Sequence, residues 1–92
     1  MKAQYYRIAD TKQAWLGKRF FKWDVEHDMI VQVCFTTGEK RKGRQSAPGI
    51  TAISKSTFAS NYMMSGYVVP TTKKRFDNEA EKCYQFLINP KP

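Results

Sequence analysis

Residues 19–36 run Arg19-Phe20-Phe21-Lys22-Trp23, then Asp24-Val25-Glu26-His27-Asp28, then Met29-Ile30-Val31-Gln32-Val33-Cys34-Phe35-Thr36. Two runs rich in aromatic and β-branched residues flank a mostly polar, acidic stretch, the pattern of two strands joined by a hairpin connection. The second run is apolar at almost every position, which predicts a central strand buried on both faces or covered by a helix. Thr37-Gly38-Glu39 then turns the chain into Lys40-Arg41-Lys42-Gly43-Arg44, and Ser46-Ala47-Pro48-Gly49 is a second turn signal. Residues 37–49 are therefore expected to form a positively charged loop or a hairpin tip.

Before this hairpin, Gln4-Tyr5-Tyr6-Arg7-Ile8 reads as a short strand. Asp10 with Gln13 has the spacing of a capping pair, and Gly17 can end a helix of barely two turns through residues 11–16. After it, Ser54 is placed to cap a helix from Lys55 to Ser65 with Gly66 as the stop, and Phe58 and Tyr62 share one face. Phe58, Tyr62 and Met63 are expected to pack on the sheet; the competing use of this segment exposes Lys55, Ser56 and Asn61 to base edges. Tyr67-Val68-Val69 is a short strand that Pro70 confines to an edge or an end. A final helix is predicted from Asn78, paired with Glu81 as a cap, to about Ile88. Ala80, Cys83, Tyr84, Leu87 and Ile88 form its core-facing stripe, so Leu87→Ala is expected to cost about 2–5 kcal/mol. The fold class is thus a small α+β domain, residues 1–92, with a mostly antiparallel sheet and two or three helices packed on one face.

The charge balance is lopsided: sixteen Lys and Arg against eight Asp and Glu, a net +8 in 92 residues. The positive residues cluster as Lys40, Arg41, Lys42 and Arg44, as Lys73, Lys74 and Arg75, and as Lys18 and Arg19 with Lys22. A basic small domain most often has an anionic partner, nucleic acid above all. Arg41 and Arg44 suit forked contacts to phosphate oxygens while the lysines act as point charges. Tyr5, Tyr6 or Trp23 would stack on an unpaired base if exposed. The competing account is a solvated turn for the first cluster, and for the second a local neutralisation by Asp77 and Glu79.

Catalytic patterns are weak. His27 stands alone between Glu26 and Asp28 in what reads as a solvated turn, with no third group to hold it as a base. His27, Cys34 and Cys83 lack metal-ligand spacing, and no glycine-rich phosphate loop is present. The chain is therefore read as a non-enzyme with no cofactor. The two cysteines are expected to be reduced, buried thiols of a cytoplasmic protein, although sequence leaves a single disulfide open. No segment has the length of a membrane span and the first residues lack a secretory signal, so no membrane partner is expected.

Its length, its lack of catalytic residues and its aromatic-rich strands starting near Met1-Lys2-Ala3-Gln4-Tyr5 give the chain a general likeness. It resembles the small single-domain α+β proteins that phages and mobile elements encode against host machinery, the anti-CRISPR proteins among them. The resemblance implies an inhibitor working in the host-cell cytoplasm. Many of that group are acidic DNA mimics, whereas this chain has the opposite sign. Its charge implies docking on a guide-RNA–protein surveillance complex, such as a type I Cascade (Csy) assembly, where it would occupy the path of target DNA or touch the guide RNA. The alternative is a free DNA- or RNA-binding accessory or regulatory protein of a phage or plasmid.

Overall fold

The computed structural model describes residues 3–9, 18–24, 26–27, 29–34, 40–41, 44–45 and 48–89; residues 40–41 and 44–45 are described by their backbone alone. Three strands open the chain: β1 (Gln4–Ile8), β2 (Arg19–Trp23) and β3 (Met29–Cys34). A two-residue pair, β4 (Lys40–Arg41) and β5 (Arg44–Gln45), is followed by β6 (Gly49–Ser54). Helix α1 (Lys55–Phe58) runs directly into a π-helical turn (Ala59–Met63), and β7 (Val68–Pro70) and helix α2 (Lys73–Ile88) complete the chain.

The main sheet has the order β6-β3-β2-β1-β7, and every pairing in it is antiparallel. The α+β reading and the β2–β3 hairpin are therefore as expected, and β2 is the central strand. β7 is an edge strand, as Pro70 requires, because its missing N–H can contribute nothing to a second ladder. The predicted helix over 11–16 lies outside the described residues.

The two helices do not share a face. Phe20 and Phe21 are both buried, and adjacent residues of a strand point to opposite sides. On one side Phe21 joins Ile8, Ile30, Phe58 and Tyr62; on the other Phe20 joins Val33, Phe76 and Cys83. The segment carrying α1 covers the first face and α2 the second. The expectation of helices on one side is corrected by this double burial, since a strand that hides neighbouring phenylalanines needs a cover on each face. The first cluster is aromatic: Phe21 lies 4.9 Å from both the Phe58 and the Tyr62 ring centroids, tilted in each case. The second is smaller, with the Tyr5 and Phe76 rings at 5.5 Å. Each fully buried large side chain contributes about 1.5–3 kcal/mol by leaving water.

Local signals set the helix ends. The Ser54 hydroxyl accepts from the Thr57 amide at 3.1 Å and starts α1. The π turn closes with Met64 N–H to Ala59 O and Tyr67 N–H to Tyr62 O, and Gly66 follows at φ 72°, a left-handed conformation natural to glycine. Met63 is exposed, contrary to its expected packing.

The last helix begins five residues earlier than Asn78 predicts. Thr72 is its cap, accepting from the Arg75 amide at 3.1 Å. The Asn78–Glu81 spacing matches a capping pair, but a competent cap upstream lets the helix start sooner and leaves Asn78 inside it. The buried stripe rotates with it. Phe76 and Cys83 are buried and Ala80 half-buried, whereas Tyr84, Leu87 and Ile88 are 51, 45 and 57% exposed. The cost of Leu87→Ala expected for a core position does not apply to a half-exposed leucine. Strand β6 was not anticipated either; its Ile50-Thr51-Ala52-Ile53 run pairs with β3 from Gly49↔Cys34 to Ser54↔Met29.

Candidate polyanion-binding surface

The first basic cluster is a hairpin tip. Lys40 pairs with Gln45 and Arg41 with Arg44 in a two-stranded ladder separate from the main sheet. Because β3 and β6 pair with each other, this ladder occupies the far end of the connection between two neighbouring strands. Lys42 lies outside the described residues. Within 40–45 the residues are Lys, Arg, Lys, Gly, Arg and Gln, with no acid and no apolar side chain to anchor the tip to a core. Like charges set directly opposite across a ladder destabilise it. A tip of this composition is at its best beside negative charge.

The third cluster divides between the two faces. Arg19 and Lys22 differ by an odd number of positions and so point to opposite sides of β2. Arg19 is half-buried beside the π turn, where its Nη1 donates to the Tyr62 hydroxyl at 2.7 Å; Tyr62 in turn donates to Gln32 Oε1 at 3.3 Å. That guanidinium ties β2 to the helical cover. Lys18 precedes it and is exposed. Arg19 is the register partner of Cys34, itself opposite Gly49, so Lys18 and Arg19 sit at the sheet end from which the chain departs for the basic hairpin. Lys22 is half-buried on the α2 face between its register partners Tyr5 and Val31.

The second cluster forms the first turn of α2. No acid occupies that turn, although the N-terminal end of a helix dipole favours anions and disfavours cations by about 0.3–1 kcal/mol each. Lys73 offsets part of this by an exposed ion pair with Asp77 at 2.6 Å, whose hydrogen bond holds the ammonium above its usual range. Lys74 is exposed, and the Arg75 guanidinium lies 5.7 Å from the Phe20 ring centroid. Arg7, which did not stand out in the sequence, is the register partner of Phe20 and lies on the same face, its Nη1 donating to the Ile8 carbonyl at 3.2 Å. Only the strand register reveals that neighbour. Lys55, one of the residues that the competing use of its segment turns toward base edges, has its ammonium 5.5 Å from the Trp23 ring centroid.

Tyr5, Tyr6 and Trp23 are half-buried and packed into the two cores, Tyr6 against Phe58 at 5.6 Å and Trp23 edge-on to Phe58 at 6.2 Å. They are built into the fold and present no free stacking platform. His27 is exposed in the β2–β3 turn, its Nδ1 3.1 Å from Asp24. The Glu26 amide is the main reason that Asp24 titrates below the usual carboxylate range, with His27 adding to it. Cys34 and Cys83 are free thiols; burial pushes both up, opposed in part by Arg19 at Cys34 and by the Gly49 amide at Cys83. Among the described residues no group of three or more His, Cys, Asp or Glu could hold a metal ion, and no helix is long and apolar enough to cross a membrane.

In comparisons with known proteins, no family model matches the chain, and neither a curated protein nor a solved structure matches it significantly.

Proposed function

We propose that this domain is a non-enzymatic interaction protein that docks on a host protein–nucleic acid assembly and blocks its nucleic-acid path by occupying it. In this reading it acts in the host cytoplasm as an anti-CRISPR-type inhibitor of a guide-RNA surveillance complex. The observation that carries the anionic half of the proposal is the β4–β5 hairpin, which sets Arg41 opposite Arg44 in a segment, 40–45, whose sequence has no acidic and no apolar residue. Phosphates laid along such a tip relieve its repulsion and release counterions. The first turn of α2, where Asp77 neutralises Lys73 but Lys74 and Arg75 remain exposed, adds a second cationic surface. The protein half rests on the far end of the same helix, where Tyr84, Leu87 and Ile88 stand exposed at i, i+3 and i+4. A naked polyanion has no use for that apolar turn, whereas protein interfaces centre on such residues.

The test is replacement of Lys40, Arg41, Lys42 and Arg44 together by Glu, with capture of a guide-RNA–protein complex and gel shift on naked DNA and RNA at two salt concentrations. The expected result is loss of capture with native circular dichroism retained, and weak binding to naked nucleic acid by the unaltered protein. Unchanged capture would remove the hairpin from the mechanism. Tight, steeply salt-dependent binding to naked nucleic acid would instead make the domain a free DNA- or RNA-binding accessory factor.

A further inference from the structure

The two edges of the sheet are treated very differently. β7 is three residues long and ends in Pro70, so it offers little to an incoming strand. β6 is six residues long, Gly49-Ile50-Thr51-Ala52-Ile53-Ser54, with no proline and no charge. Its inner side pairs with β3 along its whole length, and among the described residues no strand pairs with its outer side. Ile50 and Ala52 on the α2 face and Thr51 on the other are all exposed, so neither helical layer hides the middle of the strand, although Gly49, Ile53 and Ser54 are half-buried and the Gly49 amide meets Cys83 of α2. Alternate N–H and C=O groups of such a strand face outward, and natural proteins normally protect an edge of this kind with lysine, proline or a bulge. Within β6 itself there is no lysine, no proline and no break in its register with β3.

We propose that β6 is a strand-addition site, and that its occupant is an extended, acidic segment of a partner polypeptide. Main-chain hydrogen bonds would supply the affinity, as in other cases of β-augmentation. The acidic character follows from charge. The chain enters β6 directly from the Lys- and Arg-bearing hairpin, and the domain carries a net +8. A second copy would bring +8 against +8 at close range, so β6-to-β6 pairing is opposed, while an acidic strand is attracted along the same path. The inference goes beyond the proposed docking on nucleic acid and does not depend on it: the affinity comes from backbone amides of β6, and the positive charge serves only to favour an acidic strand over a basic one.

The experiment uses the full chain and capped synthetic peptides of about six to eight residues, a usual strand length. The probe alternates Glu and Val; one control alternates Lys and Val, and another carries proline at two central positions. Backbone amide exchange is followed residue by residue by NMR. The Glu-Val peptide should slow exchange at alternate residues of Gly49–Ser54 by about tenfold or more at saturation, while amides of β7 stay unchanged. The proline peptide should give no protection, and the Lys-Val peptide much less. No protection of β6 by the Glu-Val peptide would overturn the proposal, as would equal protection by the Lys-Val peptide. A dimer with protected β6 amides in the absence of peptide would overturn it in favour of a second copy, and protection of the same amides by an oligonucleotide would overturn it in favour of nucleic acid. Failure of the hairpin proposal is read separately, in the gel shift and capture of the charge-reversed variant.

Discussion

At the scale of single residues, the side chains that matter most to stability lie at the middle of β2, Phe21 under the α1 segment and Phe20 under α2. Phe21 is fully buried and touches two aromatic rings at 4.9 Å. Phe21→Ala removes about 3–5 kcal/mol, since the rigid ring of neighbours cannot close over the cavity. Leu87→Ala, in contrast, removes a side chain that water already reaches, and costs under about 1 kcal/mol. Urea denaturation of both variants checks the pair; equal losses would contradict the assignment of the core to Phe76, Ala80 and Cys83. The rotation of that stripe was hidden from sequence reasoning for a concrete reason. Ala80, Cys83, Tyr84, Leu87 and Ile88 satisfy helical spacing, but so does Phe76, Ala80, Cys83, and spacing alone does not say which stripe meets a sheet.

At the scale of elements, helix α2 shows how one cap redirects an interpretation. Starting at Thr72 places Lys73, Lys74 and Arg75 inside the helix, at the end where their charge is least favoured, and moves Asp77 and Glu79 beyond the first turn. Thr72→Ala should lower stability by about 1 kcal/mol, the usual worth of an N-cap, while Asn78→Ala should cost nothing or raise stability slightly, as alanine is the better interior residue. Thermal unfolding of the two variants separates the alternatives, and a larger loss at Asn78 would restore the later start. The hairpin of β2 and β3, the Ser54 cap, the Gly66 stop and the edge position of β7 were all legible because each rests on a local steric or hydrogen-bonding rule. Strand β6 was not, because Ile50-Thr51-Ala52-Ile53 lies between a turn signal and a helix cap and its strand conformation depends on the ladder offered by β3.

At the scale of the whole molecule, a net +8 spread over 92 residues opposes compaction. Added sodium chloride should therefore raise the urea midpoint between about 10 and 150 mM, as the screening length falls from about 30 to about 8 Å. A midpoint indifferent to salt would mean that the cationic clusters do not repel one another across the fold, and would weaken the case that they await negative charge. The gain should be smaller in the hairpin variant with Lys40, Arg41, Lys42 and Arg44 changed to Glu, because that change removes the densest cluster.

By itself the sequence determined the sign of the surface, the strand-forming runs of β1, β2, β3 and β7, a basic turn or hairpin tip that carries four cations, and the helix start at Ser54 and stop at Gly66. These follow from composition and from interactions between residues close in the chain. Only the tertiary structure decided that the helices clothe opposite faces, that Arg19 is held by Tyr62, that Arg7 shares the face of Phe20 and α2, and that among the described residues no strand pairs with the outer side of β6. Each of these depends on which strands become neighbours and in what register, and register is a property of the assembled sheet that no single segment contains.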